Sequence, residues 1–367
     1  MLPIDANKVI ILGAGASAAD GAPLQAGLFR KYAEIVQRNS NNLIHASSEG
    51  ELRTFFDLFW GADIDSSNLA TQHFPTFEEA LGLLEMANLR GDFFKGFGGM
   101  QTEATRAQEM RAHLANLIAV VLNDALQGPP IMHSSLIDRM QGLGWMDKTT
   151  FVSFNYDLLV DNAVRNSLNV DPDYAVTFRS VENASPATAG AKQPSLLKIH
   201  GSLNWLFCPT CNQLDCYHGQ KIVAEIAHDP ARMPCNVCQE PRVPILVPPT
   251  FFKVMSNFYL QQIWRQAEEK LRNADHLIFC GYSFPDADLH FKYLLKRAEI
   301  NQPDHSAKRF EVFIINEHPG KSAQQRDDEM NRYLRFFRNK GLVHWTKLSF
   351  NDYAANPAAY ADPANWI

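Results

Sequence analysis

Three groups of residues in this chain have the types and spacing to do chemistry. The first is a pair of knuckles, Cys208-x2-Cys211 and Cys235-x2-Cys238, with 23 residues between them. Two such pairs supply four thiolates for a tetrahedral zinc, and because no ligand position is left open the site would be structural. Cys216, His218 and His228 lie between the knuckles as alternative ligands, and free thiols are the other reading. The second group is Gly13, Gly15 and Ala18, a GxGxxA turn directly after the apolar run at residues 9–12. In a dinucleotide fold the first glycine makes the turn, the second lets backbone approach a pyrophosphate, and the small third residue lets helix pack on strand. The helix start would add free N–H groups and partial positive charge. An ordinary glycine-rich strand-to-helix turn reads the same way. The third group is Asn155 with Asp157 and then His200, each just after a short apolar run. Open α/β sheets bind ligands at the carboxyl ends of their strands. Asn155 and Asp157 also suit a helix cap, and His200 a structural histidine.

The elements that must position these groups follow from the apolar pattern. Residues 9–12 read as a strand buried on both faces, as in a parallel sheet, and 149–154, 196–199, 243–247, 276–280 and 310–315 as further strands, with 343–350 as a last one. Helices are predicted over 25–38, from the Thr76/Glu79 capping box to about 90, and over 103–126, 158–167, 257–272 and 286–298. Residues 39–51 and 91–100 read as loops. Between the first and second strands lies a long helical stretch. A dehydrogenase fold would return to its second strand sooner, with an acid there for the ribose; the only nearby acid, Glu34, sits in mid-helix. This argues against a conventional nicotinamide dehydrogenase and for a helical insertion beside the nucleotide site. Arg332, Arg335, Arg338 and Lys340, interleaved with Tyr333, Phe336 and Phe337, read as a solvated helix face with an apolar back rather than a nucleic-acid patch. The tail from Ala354 reads as loosely held.

The 367 residues carry a net charge of −6, so no general basic field draws in nucleic acid. The longest apolar run, near residues 117–122, is too short to span a bilayer, and the first residues lack a signal-peptide pattern; a cytoplasmic protein is expected. The fold class expected is α/β. A discontinuous Rossmann-like domain (1–23, 148–207, 239–350) would carry a helical insertion (24–147), a zinc-ribbon module (208–238) and a C-terminal tail (351–367).

In order, the strand tips read GAGAS, NYD, HGS, GYS and NE. The set resembles the sirtuins, which have a GAG-x-S loop, an Asn-x-Asp element, a His-Gly, a four-cysteine zinc ribbon, a Gly-x-Ser and a late Asn. More narrowly, FNYD, KIHGS and GYSFPDADLHF resemble bacterial sirtuin-like proteins of anti-phage defence, which are NAD-degrading effectors often paired with a sensor or a ring ATPase. The resemblance implies NAD as substrate and a structural zinc. It implies that Asp157 grips the nicotinamide carboxamide, that Asn155 orients the ribose and a water, and that His200 is the base. Gly13, Ala14, Gly15 and Ser17 would hold the pyrophosphate, and Gly281, Ser283 and Asn316 the phosphate or adenosine end. The expected activity is NAD hydrolysis to nicotinamide and ADP-ribose, in a homo-oligomer or under a partner such as a HerA-like ATPase. A deacylase and a non-catalytic NAD or ADP-ribose sensor are the alternatives. Three departures count against deacylation. Leu24-Gln25-Ala26 replaces the Asp-Phe-Arg of sirtuins, Phe154 replaces the Gln before the catalytic Asn, and Val247-Pro248-Pro249 occupies the segment where a peptide substrate would pair as a strand.

Overall fold

The computed structural model describes residues 6–38, 44, 46–92, 94–97, 103–186, 192–229, 233–247, 257–286, 288–302 and 310–367. β1 (Lys8–Leu12) and the short α1 (Ala14–Ala18) are followed by four helices, α2 (Leu28–Arg38), α3 (Ala46–Trp60), α4 (Phe77–Arg90) and α5 (Glu103–Ala125). Then come α6 (Ile131–Gly142), β2 (Thr149–Ser153), α7 (Leu159–Leu168), β3 (Ser180–Glu182), β4 (Ser195–Lys198), β5 (Gly201–Cys208) and β6 (Gln213–Tyr217). The remainder is α8 (Ile222–His228), β7 (Val243–Leu246), α9 (Phe258–Arg272), β8 (His276–Cys280), α10 (Leu289–Ile300), β9 (Glu311–Ile315), α11 (Ala323–Phe336), β10 (Val343–Trp345) and α12 (Phe350–Ala355).

Six strands form one parallel sheet in the order β10-β9-β8-β1-β2-β4. β1 and β2 are buried along their whole length, which favours the apolar stretches at residues 9–12 and 151–152, and Lys8, Thr149, Thr150 and Ser153 are buried with them. The register puts Leu12 opposite both Ser153 and Cys280, so the tips after β1, β2 and β8 emerge at one level. The chain leaves β1 toward β2 and β4 on one side and returns to β8, β9 and β10 on the other. That reversal opens a crevice at the carboxyl end of β1.

A second sheet, β3-β6-β5-β7, carries the cysteine knuckles. Leu203 and Leu206 of β5 and Val223 and Ile226 of α8 share one core with α2–α5, through Phe29, Phe55, Leu84 and Leu117 among others. The helical layer and the cysteine module are therefore packed as one body over one side of the crevice.

Several expectations are corrected. The loop expected through residue 51 gives way at Ala46 to α3, because Leu52, Phe55 and Phe56 anchor it in the core despite Ser47, Ser48 and Gly50. The last strand stops at Trp345, and Phe350 instead opens α12 behind a Ser349/Asp352 capping box. The helix expected from Asp286 begins at Leu289. The tail is not loose: Ala354 and Tyr360 are fully buried, and the Ile367 amide donates to the Trp345 carbonyl.

Candidate functional site

Two glycine turns build the floor of the crevice. The Gly13 amide donates to Cys280 O and the Gly15 amide to Gly281 O at 2.9 Å. A methyl group on Gly281 would lie 2.0 Å from the Ala16 nitrogen, and one on Gly13 would lie 2.5 Å from Gly281 O. Gly281 also has φ +60°, which glycine adopts freely. A methyl on Gly15 would lie 2.8 Å from the Gly281 Cα, so both glycines of the fingerprint admit the β8 turn, and the amides of Gly13 and Gly15 are used inside the protein. α1 is only five residues long, so its dipole adds little.

The polar tips of β1 and β2 are hydrogen-bonded to each other. Asn155 Nδ2 donates to Gly13 O at 2.8 Å and to Ser17 Oγ at 2.7 Å. Ser17 Oγ in turn donates to Asp157 Oδ2 at 2.6 Å. Asp157 Oδ1 accepts from the Leu159 amide, an i to i+2 contact that steadies the start of α7, whose N-cap is Leu158 rather than Asn155 or Asp157. Lys198, at the end of β4, is 1% exposed. Its ammonium donates to the Asp157 carbonyl and reaches Asp161 Oδ2 at 3.4 Å. A buried cation thereby ties the β2–α7 turn to the strand that presents His200.

His200 is 3% exposed, with its ring edge-on to Phe154 at 5.0 Å. The turn after it needs Gly201, at φ +87°, where a Cβ would meet Ile245 O at 1.8 Å. Phe154 also packs against Tyr282 at 4.6 Å, so this wall is aromatic where sirtuins place an amide. Val247 has both backbone polar groups engaged: its amide donates to His200 O, and its carbonyl accepts from Tyr156 Oη at 2.6 Å. Pro248 and Pro249 lie outside the described residues.

Gly13, Ala14, Gly15, Ser17, Asn155, Asp157, His200, Gly281, Ser283 and Asn316 all line one cavity of about 470 Å³. Leu24, Gln25, Ala26, Phe77 and Leu122 roof it from the helical layer. At the β8/β9 end the sequence reading missed Lys321 and Glu329, which also face the cavity. Glu329 Oε2 accepts from Asn316 Nδ2 at 2.7 Å and from Lys321 Nζ at 2.6 Å. Nothing local marked Glu329, one acid among several on the polar helix α11. Arg332 donates to the Ser283 carbonyl and Arg335 pairs with Asp286, while Tyr333 is buried behind them; α11 ends at Phe336, so Arg338 and Lys340 lie beyond the helix face expected to carry them. Arg326 holds the Glu317 carboxyl below its usual range. Burial, with Asp288 beside it, keeps the Tyr282 phenol protonated well past its usual range.

The Sγ atoms of Cys208, Cys211, Cys235 and Cys238 lie within 4.8 Å of one another. Cys208–Cys238 and Cys211–Cys235 are 3.4 and 3.6 Å apart. A tetrahedron with bonds of about 2.3 Å to zinc has edges of roughly 3.8 Å, so the four residues fit that metal. Cys216 and His218 lie apart from this cluster: Cys216 Sγ accepts from Asn204 Nδ2 at 3.5 Å and sits 3.9 Å from the His218 ring. The His228 side chain is outside the described residues. No helix among the described residues is long and apolar enough to cross a membrane.

In comparisons with known proteins, a SIR2-like domain matches residues 149–342. No curated protein sequence matches the chain. Among solved structures, a Sir2 homologue mutant in complex with 2′-O-acetyl-ADP-ribose is 13% identical, covering 98% of this chain and 94% of its own, at a TM-score of 0.45. A Sir2 homologue–NAD complex is 14% identical, covering 91% and 92%, at a TM-score of 0.42.

Proposed function

This chain belongs to the SIR2-like family, and on that premise we propose that it is an NAD glycohydrolase, releasing nicotinamide and ADP-ribose. One observation carries the reading. Asn155, Asp157 and His200 come from the tips of two adjacent strands and share one cavity with the Gly13–Ser17 turn.

The bond to be broken joins the nicotinamide nitrogen to C1′ of its ribose. Its electron pair leaves with the ring, which becomes neutral nicotinamide, so the leaving group needs no protonation. Water adds to C1′, and one proton is released with the ADP-ribose. The protein has to hold the leaving group, place the water and take up that proton. Asp157, fixed by Ser17 and by the Leu159 amide, holds the carboxamide. Asn155, fixed by Gly13 and Ser17, orients the ribose and the water. His200 takes the proton. NAD supplies the reactive pyridinium, and Gly13, Ala14, Gly15 and Ser17 border its pyrophosphate.

The engaged backbone of Val247 favours hydrolysis over deacylation, because an acyl-peptide strand would find its amide donor taken and its carbonyl already accepting from Tyr156. Unrestrained turnover would drain the cell of NAD. The proposal therefore includes restraint by assembly or by a partner, with a HerA-like ATPase named first, and a role as an NAD-depleting effector in anti-phage defence. The test is to incubate the purified chain with NAD, alone and with that ATPase, and to follow nicotinamide. Release that falls at least about 100-fold in His200→Ala is expected. No release under either condition, or equal release by the variant, overturns the assignment. ADP-ribose binding without turnover would identify a sensor, and nicotinamide release only with acyl-peptide a deacylase.

A further inference from the structure

The cavity has two chemically different ends on either side of β1. On the β2/β4 side stand Asn155, Asp157 and His200; on the β8/β9 side stand Ser283, Asn316, Lys321 and Glu329. A dinucleotide laid across the Gly13–Ser17 turn, with its reactive ribose on the first side, places its other nucleoside on the second. We infer that Glu329 reads the ribose of that second nucleoside through free 2′- and 3′-hydroxyls, and so selects against a 2′-phosphate. The inference rests on the reading of this site as an NAD-cleaving one.

The charges around Glu329 support it. An ionised carboxylate only accepts hydrogen bonds, which suits a diol and repels a phosphate. The two nearest cations are committed to the protein. Lys321, with its side chain 2% exposed, donates to Glu329 Oε2 and to the Asn316 carbonyl and lies over the Trp345 ring. Arg332 donates to the Ser283 carbonyl through both Nε and Nη2. Glu329 Oε2 is occupied by Asn316 and Lys321, whereas the ion pair to Oε1 is a 4.0 Å approach from Arg332. One carboxylate oxygen is thus anchored and the other keeps acceptor capacity. The acid after the second strand, Asp157, accepts from Ser17 on the reactive side of the cavity, and Glu34 is partly exposed and paired with Lys31 on α2, so neither is placed to read the second ribose. Glu329 supplies that function from the opposite side of the crevice.

The test measures binding of ADP-ribose and of 2′-phospho-ADP-ribose to the full chain by calorimetry, which does not depend on turnover. The wild type is expected to prefer ADP-ribose by at least about 50-fold, since a half-buried carboxylate faced with a phosphate gains no hydrogen bond from it and meets a like charge. Glu329→Gln should cut the preference below about 5-fold. That variant strands the Lys321 ammonium, so Lys321→Met/Glu329→Gln is measured beside it. Equal wild-type affinities, or a preference unchanged in both variants, overturns the inference. If neither ligand binds the wild type, the NAD reading fails as well. NAD turnover without discrimination at the 2′ position overturns the role of Glu329 alone.

Discussion

Replacing Lys198 with methionine keeps most of the side chain's length and deletes its charge. Lys198 and Asp161 are each 1% exposed and 3.4 Å apart, so the variant leaves a buried carboxylate with only the Tyr174 hydroxyl and strips a donor from the Asp157 carbonyl. Breaking one side of a buried pair costs about 3–5 kcal/mol. An unfolding entropy of about 2.1 cal/mol/K per residue over 367 residues converts that to a fall of roughly 4–6 °C in Tm. Asp161→Asn should cost less, because the amide still accepts from Tyr174. The double variant should lose at least about 2 kcal/mol less than the sum of the two, since neither charge is then stranded. Calorimetric melting of the four proteins measures this. Nicotinamide release should fall in Lys198→Met through kcat, as the Asp157 turn loosens. A cost below about 1 kcal/mol for Lys198→Met, or strict additivity, would refute the claim that this lysine ties the two strand tips together.

Three further outcomes are expected. Metal analysis should find about one zinc per chain, and Cys208→Ser should lose most of it together with several degrees of Tm; a metal-free wild type would refute the zinc assignment. Gly281→Ala should yield little soluble protein, since its methyl would sit 2.0 Å from the Ala16 nitrogen, whereas Gly27→Ala, with nothing within 4 Å, should express normally. Burial lowers the pKa of His218 and of His344, so on acidification the unfolded chain takes up these protons first. Stability is then full above the unfolded value of about 6.5 and declines as pH falls from there toward the folded values. A Tm that stays flat between pH 7 and pH 5.5, or a slope unchanged in His218→Gln, would contradict this.

The half of the site nearest the sheet was legible because strands buried on both faces leave long apolar runs, and each run stops where its polar tip begins. Gly13, Asn155, His200, Gly281 and Asn316 were found that way, and the spacing of the four cysteines foretold their meeting. β5 and β6 were missed because Ser202, Asn204 and Asp215 are buried polar residues that break the apolar pattern. Lys198 was legible only as a strand residue and as the first residue of KIHGS, with no role of its own, since its acceptors are a carbonyl and a carboxylate about forty residues earlier in the chain. Glu329 was hidden for a similar reason: its partners Asn316 and Lys321 come from the β9 tip and the loop after it.

The interlocked turns at Gly13 and Gly281 leave no slack beneath the ligand. Any movement that widened the cavity would therefore have to come from above, from the lid made by residues 22–26 and 28 with Phe77 and Leu122. That lid is fastened to the sulfur-bearing hairpin by common packing. A regulator gripping the outside of the helices, or a change of metal beside them, would pull on the same door.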